Sequence, residues 1–323
     1  MKQRITEIDS LKGLLILFVI IAHTQAPVLS RILYSCTLPP FFVISGMFAK
    51  AIPDYRLAIQ RNLKLYVKPY LITCIIVLTL LLVCYSAGMS VDIPNYLVNI
   101  LSFGVVNFIN IGPTWFLVAL FWGLTIYEFA KAHMSSLHLG VFCLLMSSAA
   151  VCLSMYINIY IVWAVQGLTV LPLLYTGDMI FHHKDRFDEL MSHKLIVCLM
   201  TIVYLFVLID NQVVLAFMYL PIGFITIISS ICVCCIMIWK CKMIDCKVLQ
   251  YLGKHTLLIL CVHTVFLQLR DRCGNPFAMM IANNYVRIPV EILGDAFFSL
   301  FVSCIIIRIS ENNKLGYNLF KNK

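Results

Sequence analysis

Apolar stretches long enough to cross a lipid bilayer recur along this chain from residue 11 to residue 308. A transmembrane helix needs about 20 predominantly apolar residues. The candidate stretches cover residues 11–30, 33–50, 66–87, 113–132, 138–155, 158–177, 194–210, 215–239, 248–269 and 286–308. No strand-like alternation of apolar and polar residues accompanies them, which favours helices over a β-barrel. We therefore predict an all-α, polytopic membrane bundle of about ten transmembrane helices.

The composition favours a single integral membrane domain over residues 1–323. The chain is 62% hydrophobic and only 12% charged, with a mean hydropathy of +0.94, whereas a soluble domain has about 25% charged residues. No polar stretch is long enough for a separate soluble domain. The first span resembles a signal peptide in position, but "HTQAPV" is a poor cleavage site. We interpret this span as a retained anchor.

The net charge of +9 orients the protein in the membrane rather than indicating a nucleic-acid partner. In the ten-span interpretation, 20 of the 24 Lys and Arg residues fall on one side. The other side holds only Arg31, Arg270, Arg272 and Arg287. Because cytoplasmic loops carry the excess of basic residues, we expect both termini to be cytoplasmic. We predict a multi-pass protein of the inner (cytoplasmic) membrane that contacts membrane lipid and binds no nucleic acid.

Two spans enter from the predicted cytoplasmic side with a lysine and place a histidine at similar depth. In "DSLKGLLILFVIIAHT", about 16 Å of helix separates Lys12 from His23, and in "LGKHTLLILCVH", about 14 Å separates Lys254 from His263. An ionisable side chain at membrane depth marks a functional site by default, although a neutral histidine also bridges helices by hydrogen bonds. We predict that both histidines face one interior cavity, where a neutral imidazole is a competent general base.

The segment "QRNLKLYVKPY" places Arg61, Lys64 and Lys68 at helical spacing, which puts them near one face. Guanidinium and ammonium groups bind phosphate well. The cluster is therefore a candidate cradle for an anionic cytosolic ligand such as the phosphates of coenzyme A, but topology and contact with lipid headgroups explain it equally. Trp115 lies at the predicted outer interface, and Glu128 near the cytoplasmic end of the same span either pairs with this cluster or reaches water.

Two predicted external segments, residues 86–112 and 270–286, combine Asn side chains with aromatic rings. Such residues bind sugars, since rings stack on apolar sugar faces and amides bond hydroxyls, but they are also ordinary in interfacial loops.

Most of the 14 cysteines lie inside spans, where a cysteine is a small apolar side chain. A zinc site would need paired C-x-x-C motifs or well-placed histidines. We predict no metal site.

Four short motifs follow one another along the chain. The first comprises Ile8, Asp9, Leu11, Lys12, Gly13 and His23, and the second comprises Pro39, Phe41, Phe42, Ser45 and Gly46. The third is "TWFLVAL", which contains Trp115, and the fourth is "LGKHTLLILCVH", which contains Lys254 and His263. This ordered set resembles the acyltransferase 3 family of membrane O-acyltransferases, and within it the fucose 4-O-acetylase-like and other polysaccharide O-acetyltransferases.

The resemblance implies transfer of an acyl group, usually acetyl from acetyl-CoA, to a carbohydrate hydroxyl of a cell-surface polysaccharide or lipid-linked sugar. It implies a cytoplasmic donor and makes polysaccharide-biosynthesis proteins candidate partners. It supports His23 as the essential general base, with Lys12 in place of the family's basic residue and Arg61 in the region of its arginine-rich loop. The chain departs from the family at Pro40, where leucine is usual, and at Gln60, where a second arginine is common.

A transporter of a small polar or lipid-linked substrate is the alternative, because intramembrane histidines also serve proton relays. Broken helices or inverted repeats would favour it, and the sequence shows no clear repeat. We expect an O-acetyltransferase with acetyl-CoA as donor. The expected catalytic residues are His23, Lys12 and His263, the donor-binding residues Arg61, Lys64 and Lys68, and the further motif residues Asp9, Ser45, Trp115 and Lys254.

Overall fold

The computed structural model describes residues 5–23, 27–101, 114–156, 162–209, 223–273 and 284–312, and within these ranges the chain is helical with no β-strand. The predicted all-α class is therefore confirmed. The α-helices are α1 (Thr6–Ala22), α2 (Pro27–Met47), α3 (Tyr55–Asn62), α4 (Lys68–Ser86), α5 (Ile93–Leu101), α6 (Trp115–His133), α7 (Ser136–Tyr156), α8 (Val162–Thr169), α9 (Leu171–His182), α10 (Lys184–Ser192), α11 (Lys194–Ile209), α12 (Gly223–Lys240), α13 (Lys247–Lys254), α14 (Thr256–Cys273) and α15 (Asn284–Asn312).

In the described part of the chain, four continuous helices are long and apolar enough to cross a membrane. They are Tyr55–Ser86, Trp115–His133, Ser136–Leu153 and Ile225–Met243. A fifth span is counted if α10 and α11, which meet at an angle of 85°, cross the membrane as one broken element. The chain is thus a helical membrane protein, and the ten-span count and the cytoplasmic termini stay predictions.

The boundary between the first two helices differs from the predicted one. The sequence placed it near residue 31, but α1 ends at Ala22 and α2 begins at Pro27. Proline suits a helix start, since its missing N–H is one that the first turn leaves unpaired. His23 consequently lies at the C-terminal cap of α1 rather than in the middle of a span.

Two predicted spans are interrupted. The span 158–177 divides at Val170, and Pro172 explains the break because its ring clashes with the carbonyl four residues earlier. The span 248–269 divides at His255, whose N–H bonds to Leu252 O in a tight turn. Between α3 and α4, Leu63–Val67 forms a π-helical turn just before Pro69, which cannot donate to a normal α-helical ladder.

Two helix crossings bring backbones into direct contact through glycine. A Cβ added to Gly253 of α13 would lie 1.8 Å from the Asp9 O atom of α1, and one added to Gly13 would lie 2.0 Å from Leu249 O. The crossing of α2 and α9 is built in the same way by Gly46 and Gly177. Small residues permit such close approach between membrane helices. These crossings fix α1 against α13 and α2 against α9.

Candidate functional site

The two histidines singled out by the sequence meet in the structure. His23 ends α1 and His263 lies within α14, and their ring centroids are 5.4 Å apart in an edge-to-face arrangement with an interplanar angle of 67°. His263 is buried at 1% exposure, whereas His23 is half-buried. The predicted proximity of the two side chains is therefore confirmed, and the shared interior cavity and the catalytic roles stay predictions.

Each imidazole is oriented by a backbone carbonyl one helical turn earlier. His23 Nδ1 lies 2.7 Å from Val19 O, and His263 Nδ1 lies 3.3 Å from Ile259 O. Because a carbonyl oxygen only accepts hydrogen bonds, the tautomer that satisfies both contacts carries the proton on Nδ1. In a neutral ring this leaves Nε2 unprotonated. In this tautomer Nε2 is the basic atom of each ring.

The Nε2 atom of His263 is buried and has no hydrogen-bond partner among the residues that the structure describes. Leaving a buried polar atom unpaired costs about 1–3 kcal/mol. A hydroxyl donor would remove this cost, because an unprotonated Nε2 needs a hydrogen to accept. His263 Nε2 is thus an unused acceptor within the described part of the chain.

The first and fourth motifs are joined by the α1–α13 crossing. Asp9 is buried and forms an ion pair with Lys12, whose Nζ lies 2.8 Å from Asp9 Oδ1. The backbone of Asp9 also contacts Gly253. This contact holds Lys12 and the start of α14 in one assembly. Lys254 itself is exposed and, since the helix breaks at His255, it does not share a continuous helix with His263.

The second and third motifs form an aromatic contact. The Phe116 ring of α6 packs against Phe42 at 4.7 Å and against Phe41 at 5.9 Å between centroids. Trp115 is buried beside Phe116, and the Ser45 hydroxyl donates to Phe41 O within α2. Trp115 and Ser45 therefore have packing and helix-internal roles in the described structure.

The predicted basic cluster is placed on a surface but not on one regular helical face. Arg61 pairs with Glu128 of α6, while Lys64 and Lys68 are exposed. An α-helix turns about 100° per residue, so the extra residue of the π turn rotates Lys68 relative to Arg61. Of the two alternatives for Glu128, pairing with the cluster is the one observed.

Glu128 has more partners than the sequence indicated. Its side chain is fully buried and, besides the ion pair with Arg61, accepts hydrogen bonds from the Lys50 N–H at 3.1 Å and the Asn62 amide at 3.1 Å. Its backbone oxygen accepts from the Ile52 N–H at 3.0 Å. We call these five residues the Glu128 cluster.

A second buried carboxylate was missed by the sequence interpretation. Asp178 of α9 accepts hydrogen bonds from the Tyr127 hydroxyl at 2.7 Å and from Lys131 Nζ at 2.6 Å, and His182 Nδ1 lies 2.9 Å from it. Lys131 also donates to Ala49 O at 3.2 Å. The sequence does contain a signal for this carboxylate, since "LLYTGDMIF" carries a lone acid, Asp178, in an apolar stretch. The predicted span ended at residue 177, so Asp178 fell outside it.

Residues 102–112 and 274–283 of the predicted sugar-contacting segments lie outside the described residues. Within the described ranges, no group of three or more His, Cys, Asp or Glu side chains could hold a metal ion.

A family model described as "Acyltransferase domain", that of acyltransferase 3, matches residues 5–308. No curated protein and no solved structure gave a significant match.

Proposed function

Because the chain belongs to the acyltransferase 3 family, we propose that it is a membrane O-acetyltransferase that moves an acetyl group from cytosolic acetyl-CoA to a carbohydrate hydroxyl. The acceptor is a cell-surface polysaccharide or a lipid-linked sugar, and the site is in the inner membrane. The observation that carries the proposal is the close pair formed by His23 and His263, whose ring centroids are 5.4 Å apart.

His23 is the general base in this proposal. Its Nε2 takes the proton of the acceptor hydroxyl as that oxygen attacks the acetyl carbonyl, the new ester C–O bond forms, and the C–S bond of the thioester breaks. The proton then passes to the departing thiolate of coenzyme A, which restores neutral His23. The buried His263 accepts a hydrogen bond at the same site, and such base catalysis is typically worth about 10²–10⁴ in rate.

The donor approaches the basic segment of residues 50–68. This segment carries Lys50, Arg56, Arg61, Lys64 and Lys68 against a single acid, Asp54. Lys50, Arg56, Lys64 and Lys68 are exposed, and ammonium and guanidinium groups suit the phosphates of coenzyme A. The surface therefore supports an anionic donor, while lipid phosphate would meet the same groups.

The test is replacement of His23 in the full-length protein in membranes. His23→Asn keeps an N–H near the position of Nδ1, which can still reach Val19 O, but provides no base. We expect acetylation of surface glycans, measured by mass spectrometry, to fall at least 10²-fold at unchanged membrane level. His133→Ala is the matched control, because exposed His133 makes the same bond to the carbonyl four residues earlier, Phe129 O. Full activity of His23→Asn would refute the role of His23.

One observation favours the transporter alternative, namely the interruptions of the helices at Val170 and His255. Broken helices commonly form substrate sites in transporters. The two functions separate in one experiment with membrane vesicles. Uptake of a labelled sugar without acetylated product would support transport, and an acetylated product that depends on acetyl-CoA would support the transferase.

A further inference from the structure

The Glu128 cluster joins α6 to the chain segment that carries the cations. Glu128 Oε1 binds Arg61 and the Lys50 N–H, Oε2 binds the Asn62 amide, and the Glu128 backbone oxygen binds the Ile52 N–H. The loop between α2 and α3 and the end of α3 are therefore both fastened to one residue. A carboxylate with no solvent exposure needs such partners, because an unpaired buried charge is very costly.

Arg61 keeps donors for a ligand in this arrangement. A guanidinium has five N–H donors, and the contacts with Glu128 and Asn62 both use the same terminal nitrogen, Nη1. The Arg61 side chain is still 31% exposed. Glu128 thus holds the guanidinium at one edge and leaves part of it at the surface, next to the exposed Lys64 of the π turn.

We propose that Glu128 is a positioning residue for the acyl donor: by holding Arg61 and the backbone of Lys50 and Ile52, it fixes the basic segment 50–68 as a preorganised binding surface for the donor phosphates. This inference rests on the proposed function. Preorganisation strengthens binding because a surface that is already ordered loses less conformational freedom when the ligand arrives. Glu128 acts through Arg61 and the loop and touches no reacting atom.

The experiment measures coenzyme A binding and acetyl-CoA kinetics of the purified full-length protein in detergent. Glu128→Gln removes the charge that holds Arg61, and we expect the Kd for coenzyme A and the KM for acetyl-CoA to rise about tenfold, with kcat within twofold of wild type. This fold-change is the size expected when one long side chain, that of Arg61, must be ordered during binding instead of beforehand. If Glu128→Gln does not insert, Glu128→Asp keeps the charge on a shorter side chain, and we expect a smaller rise in the same two constants.

Two further variants separate positioning from a merely structural role. Arg61→Gln combined with Glu128→Gln should weaken coenzyme A binding by less than the two single losses combined, since part of the effect of Glu128 passes through Arg61. Asp178→Asn removes the other buried carboxylate that α6 contacts and should leave the Kd within twofold. Hydrogen exchange at the Lys50 amide should accelerate in Glu128→Gln, because this amide bonds to the Glu128 carboxylate, whereas the Ile52 amide bonds to the Glu128 backbone oxygen, which the substitution keeps.

Each result decides the matter. An unchanged Kd in Glu128→Gln, or an equal loss in Asp178→Asn, overturns the positioning role while the proposed function stands. Additive losses in the double variant overturn the route through Arg61. If the wild-type protein binds no coenzyme A and uses no acetyl-CoA, the proposed donor is wrong, and the positioning role is overturned with it.

Discussion

Substitution of Gly253 by alanine tests whether the α1–α13 crossing sets the distance between the two histidines. The added Cβ would lie 1.8 Å from Asp9 O, and real Cβ atoms essentially never come closer than 3.0 Å to such an atom. The two backbones must therefore separate by about 1.2 Å or more at this point. Neither atom is the flexible end of a side chain, so local rotation cannot relieve the clash.

The displacement reaches both histidines through short connections. Asp9 belongs to α1, whose C-terminal cap is His23. On the other side, the Thr256 hydroxyl donates to Gly253 O at 2.8 Å, and Ile259 N–H bonds to His255 O at 3.0 Å. The turn between α13 and α14 is thus hydrogen-bonded on both sides of His255. Movement of Gly253 should carry the start of α14, and with it His263, away from α1.

The expected result has two parts. Overpacking of this kind typically costs about 1–3 kcal/mol of stability, which a thermal midpoint in detergent measures. A misplacement of about 1 Å at catalytic groups can lower the rate about 10²-fold, which the acetyl content of surface glycans measures after normalisation to inserted protein. Activity should therefore fall further than the loss of folded protein explains.

Gly140→Ala is the matched control. Its Cβ would also meet an atom too closely, at 2.9 Å, but that atom is Cζ of the Tyr175 ring, the far end of a side chain that can rotate. Near-normal activity is expected. Full activity of Gly253→Ala would refute the reasoning, because it would mean that the break at His255 absorbs the displacement before it reaches His263.

Two further predictions concern charges away from the histidines. Lys131→Met leaves buried Asp178 without its lysine partner, and we expect the free energy of unfolding to fall by about 3 kcal/mol. This value is the low end for a broken buried ion pair, because the Lys131 side chain is 18% exposed. A thermal midpoint unchanged from wild type would contradict this prediction. Asp188→Asn breaks the ion pair with Lys242, in which both side chains are about one-third exposed. It should change the free energy of unfolding by less than about 1 kcal/mol. A loss of stability that persists in high salt would show that the pair is stronger than its exposure implies.

The position of each histidine along its helix carried most of the information about the candidate site. Helical rise alone placed His23 and His263 at similar depth, and the structure brings their rings together. What the sequence could not give is the helix end at Ala22, because "FVIIAHTQAPV" is apolar on both sides of the break. The boundary depends on tertiary packing and on Pro27, and hydropathy alone does not detect it.

The basic segment shows a different limit of sequence reasoning. The spacing of Arg61, Lys64 and Lys68 was converted to a shared face on the assumption of a regular α-helix. Pro69 was the available signal that this assumption fails, since a missing N–H forces the ladder to adjust in the preceding turn. The partner of Arg61 was left open, because the pairing of Arg61 with Glu128 joins residues 67 positions apart, and no local pattern encodes such a contact.

Helix α6 connects the basic segment 50–68 to the rest of the bundle. Glu128 and Lys131 are three residues apart and so lie on adjoining parts of one helical face; each is paired with an opposite charge from another helix, Arg61 of α3 and Asp178 of α9. Both also bind the loop after α2, at Lys50 and Ala49.

The histidines belong to a different assembly, in which α1 packs on α13 through glycine and contacts α14. Substitutions within α13 should therefore alter the transfer step, whereas substitutions in α6 should alter donor binding. Since α1 packs against α2 and α14 packs against α4, these two interfaces connect the two assemblies. A substitution there that changed the KM for acetyl-CoA and kcat together would locate the coupling of donor binding to proton transfer.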